Sequence, residues 1–157
     1  MMRMPVDVYL SPGDLTIRAQ PAKVKTILGS CVAVCLWDPE RRIGGVNHYL
    51  LPIPVGEGAR DNRFGLIAIP ALVLGLTRHG ATVATLRAAI IGGGHSVGAA
   101  ASTRIGDLNA AIADTLLGEY GILVVTRHTG GAFGRKLLFN TGTGELLVRR
   151  LGQERSA

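Results

Sequence analysis

The hydrophobic pattern breaks into short runs, and each break marks an element. Val6 to Leu10 and Leu15 to Arg18 are split by Ser11-Pro12-Gly13-Asp14, which predicts two short strands at an N-terminal edge. The β-branched and apolar run Val32 to Trp37 favours an extended chain. Asp38-Pro39-Glu40-Arg41 reads as a turn with Pro at its second position, and Ile43 to Leu51 extends again. With Asp38 and Arg41 flanking a two-residue loop, the hairpin register sets Cys31 opposite His48 on one face, where Cβ atoms lie roughly 4.5–5.5 Å apart. Gly44-Gly45 invites a bulge that would shift the register by one residue and send the two side chains to opposite faces.

Beyond the hairpin, Pro52 to Arg63 is polar and rich in Gly and Pro, a loop near the strand that carries His48 and a candidate lid or substrate rim. The apolar stretch Ile69 to His79 predicts a helix with Pro70 in its first turn and Gly80 after its end. Leu86 to Ile91 reads as a buried strand leading into Gly92-Gly93-Gly94-His95. A second helix is expected from Asp107 to Tyr120, with Leu108, Ile112, Thr115 and Leu116 on one face and its end near Gly121. Ile122 to Thr126 reads as a buried strand, and Lys136 to Asn140 with Glu145 to Arg150 as a hairpin across Thr141-Gly142-Thr143-Gly144. Strands outnumber helices and many are hairpin-linked. The expected architecture is therefore α+β, mainly antiparallel sheets covered by two main helices, and not a fully parallel doubly wound sheet. No repeat or linker interrupts the chain, so one domain over 1–157 is expected, with 152–157 as a frayed tail.

Composition supports a packed core: 157 residues are 47% apolar and 18% charged. The N-terminus has no signal-peptide pattern, and the longest apolar run, Leu66 to Leu76, is too short to span a bilayer. A cytoplasmic protein without direct membrane insertion is the expectation. Cys31 and Cys35 are roughly 13 Å apart along a strand, against the ~5.5–6 Å a disulfide needs, so both are expected as thiols. The net charge of +6 is partly concentrated from Arg127 onward, where six Lys or Arg face only Glu145 and Glu154. Only Phe133 and Phe139 lie among these as stacking platforms, which favours a solvated basic face over a nucleic-acid partner.

Candidate chemistry centres on Cys31 and His48. Thiol catalysis needs a thiolate, and His48 is the candidate base. Gly29 lets the chain approach a substrate closely, and the amides near Ser30 and Cys31 are candidate donors to an oxyanion. Asn47, beside His48, joins Gly29 and Ser30 as a candidate for substrate positioning. Against this stands the commoner fate of a strand cysteine as inert packing, which is how Cys35 reads. Cys31, Cys35 and His48 do not converge on one ion, so no metal is expected. Gly92 to Gly98 superficially matches a dinucleotide loop, but it does not run straight into a helix and lacks an acidic strand end about 20 residues on, so no cofactor is expected. Close backbone approach beside the catalytic hairpin explains these glycines better, with His95 or Ser96 lining the cleft. His128-Thr129-Gly130-Gly131 lines the same cleft or simply ends a strand.

Thr26-Ile27-Leu28-Gly29-Ser30-Cys31-Val32-Ala33-Val34-Cys35-Leu36-Trp37-Asp38-Pro39, followed by Gly44-Gly45-Val46-Asn47-His48-Tyr49-Leu50-Leu51-Pro52, resembles the signature of CheD, the chemoreceptor glutamine deamidases of bacterial and archaeal chemotaxis. The similarity continues through Gly13-Asp14, Arg63-Phe64-Gly65, the glycines from Gly92, Thr129-Gly130-Gly131 and Thr141-Gly142. The resemblance implies Cys31 as nucleophile, His48 as general base and Thr26 as a third residue that orients or polarises the pair. It also implies conversion of receptor glutamines to glutamate through a thioester, chemoreceptors as substrates, a CheC-type phosphatase as partner, and a fold similar to cysteine-hydrolase deamidase toxin domains. Where the family commonly has Gly-Gly-Ala and a methionine, this chain has Gly92-Gly93-Gly94-His95-Ser96-Val97. The competing expectation is a non-catalytic docking module for a phosphatase or receptor. A low-pKa Cys31, alkylated near pH 6 far faster than Cys35, would separate the two.

Overall fold

The computed structural model describes residues 6–98 and 104–152, so the tail expected to fray lies, from residue 153, outside the described residues. The elements are β1 (Val8–Tyr9), β2 (Leu15–Arg18), β3 (Lys23–Leu28), β4 (Val32–Asp38), β5 (Ile43–Asn47), α1 (Gly65–Arg78), β6 (Arg87–Gly92), α2 (Ile105–Tyr120), β7 (Leu123–Thr129), β8 (Arg135–Asn140) and β9 (Leu146–Arg150). They form three layers. A five-stranded sheet in the order β2-β5-β4-β6-β7 lies between the two helices and a four-stranded sheet in the order β1-β3-β8-β9. The α+β expectation holds, with mostly antiparallel pairing. Parallel pairs occur at β1·β3 and at β6·β7, the latter joined by the α2 crossover.

β4 is buried along its whole length because each of its faces meets a different core. Val32, Val34 and Leu36 pack with Leu72, Leu76 and Leu117 under the helices. Ala33, Cys35 and Trp37 pack with Val24, Leu28 and Phe139 between the sheets. The tilted Trp37 and Phe139 rings, 5.9 Å apart, contribute about 0.5–1.5 kcal/mol beyond their buried area. Cys35 is fully buried packing, as expected.

The hairpin register differs from the sequence expectation. Asp38 pairs with Ile43 and Cys35 with Val46, so the connection holds four residues instead of two. The reason lies in Asp38: its Oδ1 accepts the Glu40 and Arg41 amides, which rounds off a longer turn closed by Arg42 at φ 58°. The shift is two residues, an even number, so Cys31 and His48 stay on the same face.

Other elements also depart from expectation. β3 escaped the hydrophobic reading because Lys23, Lys25 and Thr26 break up its apolar positions. α1 starts at Gly65, upstream of Pro70, which is therefore inside the helix and not in its first turn. The earlier start is possible because the carbonyls of Leu51 and Pro52 accept the Gly65 and Leu66 amides. α2 ends as expected at Gly121, left-handed at φ 73°. Its buried arc, however, is Asn109, Ala113, Leu116 and Leu117, while Leu108 turns outward. β7 was expected to be buried and is mostly exposed, because it is an edge strand with only β6 beside it. The β8–β9 hairpin and the loop after Pro52 form where they were expected.

Candidate active site

Cys31 lies in the short connection that carries the chain from β3 in one sheet to β4 in the other. Its neighbours are pinned by their carbonyls: Gly29 accepts from the Gly94 amide, Ser30 from Asn109 Nδ2, and Cys31 from the Gly93 amide, each at 2.9 Å. The glycine run thus acts as the sequence suggested, by close approach. A Cβ on Gly92 would strike the Cys31 carbonyl, and one on Gly94 the Phe133 carbonyl. Asn109 went unnoticed in the sequence, although its place on the buried arc with Ala113 and Leu116 was a signal. Its Nδ2 also donates to Leu50 O at 2.8 Å, so one α2 side chain ties both strands of the site together.

His48 follows β5, where the hairpin ladder opens. Val32 and Tyr49 exchange backbone hydrogen bonds beyond the gap, and within it the Val34 amide donates to Asn47 Oδ1 at 2.8 Å. Asn47 is fully buried and its Nδ2 has no partner among the described residues. Strand alternation, with Val46 in the inter-sheet core and Tyr49 under the helices, turns Asn47 toward the helix side and His48 toward the inter-sheet side.

There His48 meets Thr26 from the opposite sheet, with Nδ1 and Oγ1 2.7 Å apart and both residues within 2% of full burial. The Thr26 hydroxyl donates its one proton to Leu10 O, also at 2.7 Å. It can therefore only accept from His48, which fixes the imidazole with its proton on Nδ1 and leaves Nε2 a free lone pair. Burial lowers the His48 pKa from 6.5 to about 4, against the opposing effect of the nearby Asp14 charge, so the ring is neutral at physiological pH.

Cys31 and His48 stand diagonally across the Val32–Tyr49 pair, a relation that puts backbones roughly 7–8 Å apart and within reach of a ring side chain. Among the described residues the Cys31 thiol has no hydrogen bond to His48. Burial raises the Cys31 pKa, and its own amide N–H only partly offsets this. This corrects the expectation of a low-pKa thiol: the resting pair is a neutral thiol beside a neutral imidazole. Cys35, wholly buried, is raised further.

Gly29 and Ser30 open onto a cleft of about 340 Å³ whose other walls include Gly94, His95, Ser96 and Phe133. His95 and Ser96 thus line it as expected. Among the described residues, the Ser30 amide donates to no acceptor, which leaves it available at the cleft wall.

The His48 shift has a testable consequence for stability. In the window from pH 6.5 down to 4 the unfolded chain binds a proton that the folded chain refuses, so stability is complete above the window and falls through it. His128, lowered by burial and then by Arg135 and Arg150, acts in the same direction. The expected outcome is that wild-type Tm drops between pH 7 and pH 4 by more than that of His48→Asn, measured by thermal melts across the range. Equal drops would contradict a buried neutral imidazole.

Comparison with known proteins identifies the family. Residues 50–150 match the family described as CheD chemotactic sensory transduction. A protein of Anaeromyxobacter dehalogenans named probable chemoreceptor glutamine deamidase CheD 1 is 47% identical over 145 residues, covering 92% of this chain and 84% of its own length. Proteins named probable chemoreceptor glutamine deamidase CheD are similar as well: that of Trichlorobacter lovleyi at 40% identity over 147 residues, 93% of this chain and 91% of its own, and that of Sulfurimonas denitrificans at 33% over 143 residues, 90% and 92%.

Proposed function

The chain belongs to the CheD family, and from that premise we propose that it deamidates chemoreceptor glutamines with Cys31 as nucleophile, His48 as general base and Thr26 as the residue that orients the base. The observation that carries the reading is the Leu10–Thr26–His48 chain, which leaves Nε2 free as a base on the face that Cys31 shares.

On this reading a glutamine side chain enters the cleft at Gly29 and Ser30. The Cys31 proton passes to His48 Nε2 as Sγ attacks the carboxamide carbon, so the thiolate exists only during attack. The Ser30 amide and its neighbour at Cys31 hold the developing oxyanion, with Gly29 giving the backbone room to approach. Collapse returns the proton to the departing nitrogen, ammonia leaves, and a thioester remains. Water, deprotonated by the same imidazole, then releases glutamate and restores the thiol. Asn47 acts as a positioning residue, holding the open ladder beside His48.

Chemoreceptors are the protein partners. A CheC-type phosphatase is proposed as a second one, supported by family membership and by an exposed apolar groove between Leu51, Ile53 and Val55 and the outer face of α2 at Leu108. The reaction is proposed to take place on receptor domains in the cytoplasm; among the described residues no helix is long and apolar enough to cross a membrane. The test is peptide mass spectrometry of a receptor cytoplasmic domain incubated with the protein. Particular glutamine peptides are expected to appear as glutamate with matching ammonia release; unchanged glutamines would overturn the reading.

A further inference from the structure

Beside the cleft at Ser30 lies a second one, about 350 Å³, whose chemistry the deamidation steps do not use. It is walled by Arg127, His128, Phe133, Arg135 and Arg150. Arg135 is 1% exposed, yet none of the ion pairs among the described residues includes it or Arg150. Its Nε donates to His128 Nδ1 at 2.8 Å and one terminal nitrogen to Gly130 O, while the other, Nη1, has no partner among the described residues. The guanidinium carbons of Arg135 and Arg150 each lie 4.3 Å from the centre of the Phe133 ring, so one ring holds both cations at the cleft. Arg127 is already paired, with Asp114 at 2.7 Å.

A buried guanidinium with an orphaned donor and no counter-ion among the described residues is costly to retain for stability alone. The cost is offset when an oxyanion arrives: Arg135 Nη1 can donate to it, and the Arg150 guanidinium over the same ring can present two parallel hydrogen bonds to a carboxylate. His128 accepts from Arg135 at Nδ1, so it carries its own proton on Nε2 and adds a further donor. Phe133 also lines the glutamine cleft, so the two clefts meet at that ring.

We propose that this basic cleft is a specificity subsite that binds a carboxylate side chain of the receptor segment presenting the glutamine. The inference rests on the deamidase reading. On a helical substrate the acidic residue would lie three or four positions from the glutamine, the spacing that puts two side chains on one face. The enzyme would therefore choose among receptor glutamines by their acidic neighbours.

The test reads binding, so that it fails separately from the reaction. Cys31→Ala protein is titrated with fluorescent helical peptides carrying one target glutamine and, a turn away, either Glu or Gln. The Glu peptide is expected to bind about tenfold more tightly at low salt, as charge-assisted hydrogen bonds allow. Arg150→Gln, at an exposed position, should bring the ratio of the two affinities close to one, and Arg135→Lys should reduce it. Inorganic phosphate should compete with the Glu peptide. Equal affinities for the two peptides, a ratio unchanged by Arg150→Gln, or phosphate binding without peptide discrimination would overturn the proposal. A Glu preference would stand even if no glutamine were ever converted.

Discussion

Cys31→Ala is expected to lower receptor glutamine conversion by on the order of 10⁴-fold or more, to the background level, while leaving stability within about 1 kcal/mol of wild type. The activity loss follows from the proposed thioester, because the other thiol, Cys35, is fully buried. The small stability change follows because the connection is held by backbone carbonyls of Gly29, Ser30 and Cys31, which alanine keeps. The measurement is mass spectrometry of receptor peptides together with a thermal melt. Equal conversion by both proteins would remove Cys31 from the mechanism. The wild-type pH profile extends the test. With His48 titrating at about 4 and the thiol raised, kcat/KM should be level from about pH 5 through neutrality and fall below that as the base is protonated. A rate that climbed tenfold per unit through pH 7 would mean that attack waits on prior ionisation of the thiol.

Gly92→Ala is expected to cost about 3 kcal/mol or more and to abolish activity with it. Gly92 sits at φ 118°, a region side chains rarely adopt, and an added Cβ would press on the Cys31 carbonyl and stand 3.2 Å from Val32 Cα. Both obstacles are backbone and cannot rotate away. The Cys31 carbonyl is also the acceptor of the Gly93 amide, so relief of the clash would break a bond that places Cys31. For a chain of this size the loss corresponds to a Tm decrease of roughly 10 °C. A melt within a degree or two of wild type would refute this account of the glycine run.

How much of this was legible in the letters depended on the range of each interaction. The β4–β5 hairpin, the ends of both helices near Gly80 and Gly121, and the β8–β9 hairpin are written in local turn chemistry, and they were found. The hairpin register was missed by two because Asp38 caps a longer turn with its own side chain, which a two-residue template does not anticipate. β3 carries Thr26, yet only Val24 and Leu28 of its apolar residues face the inter-sheet core and polar residues sit between them, so no run drew attention to it. The Thr26–His48 contact joins residues in different sheets, and in the sequence only resemblance hinted at it. Arg135 offered no local sign of burial: a cation between two turns reads as solvated until Phe133 and His128 are seen to enclose it. Cys31 was expected to be acidic because thiol enzymes need a thiolate; what decided otherwise was desolvation, a property of the assembled layers.

Thr26 belongs to one sheet and His48 directly follows a strand of the other, so the imidazole keeps the orientation proposed for catalysis only while the two sheets remain in contact. Loosening the Trp37–Phe139 contact, away from the thiol, should therefore silence turnover before any helix melts. The enzyme's activity is in this sense a gauge of its own interlayer cohesion, and heating should extinguish it in advance of the loss of far-ultraviolet dichroism.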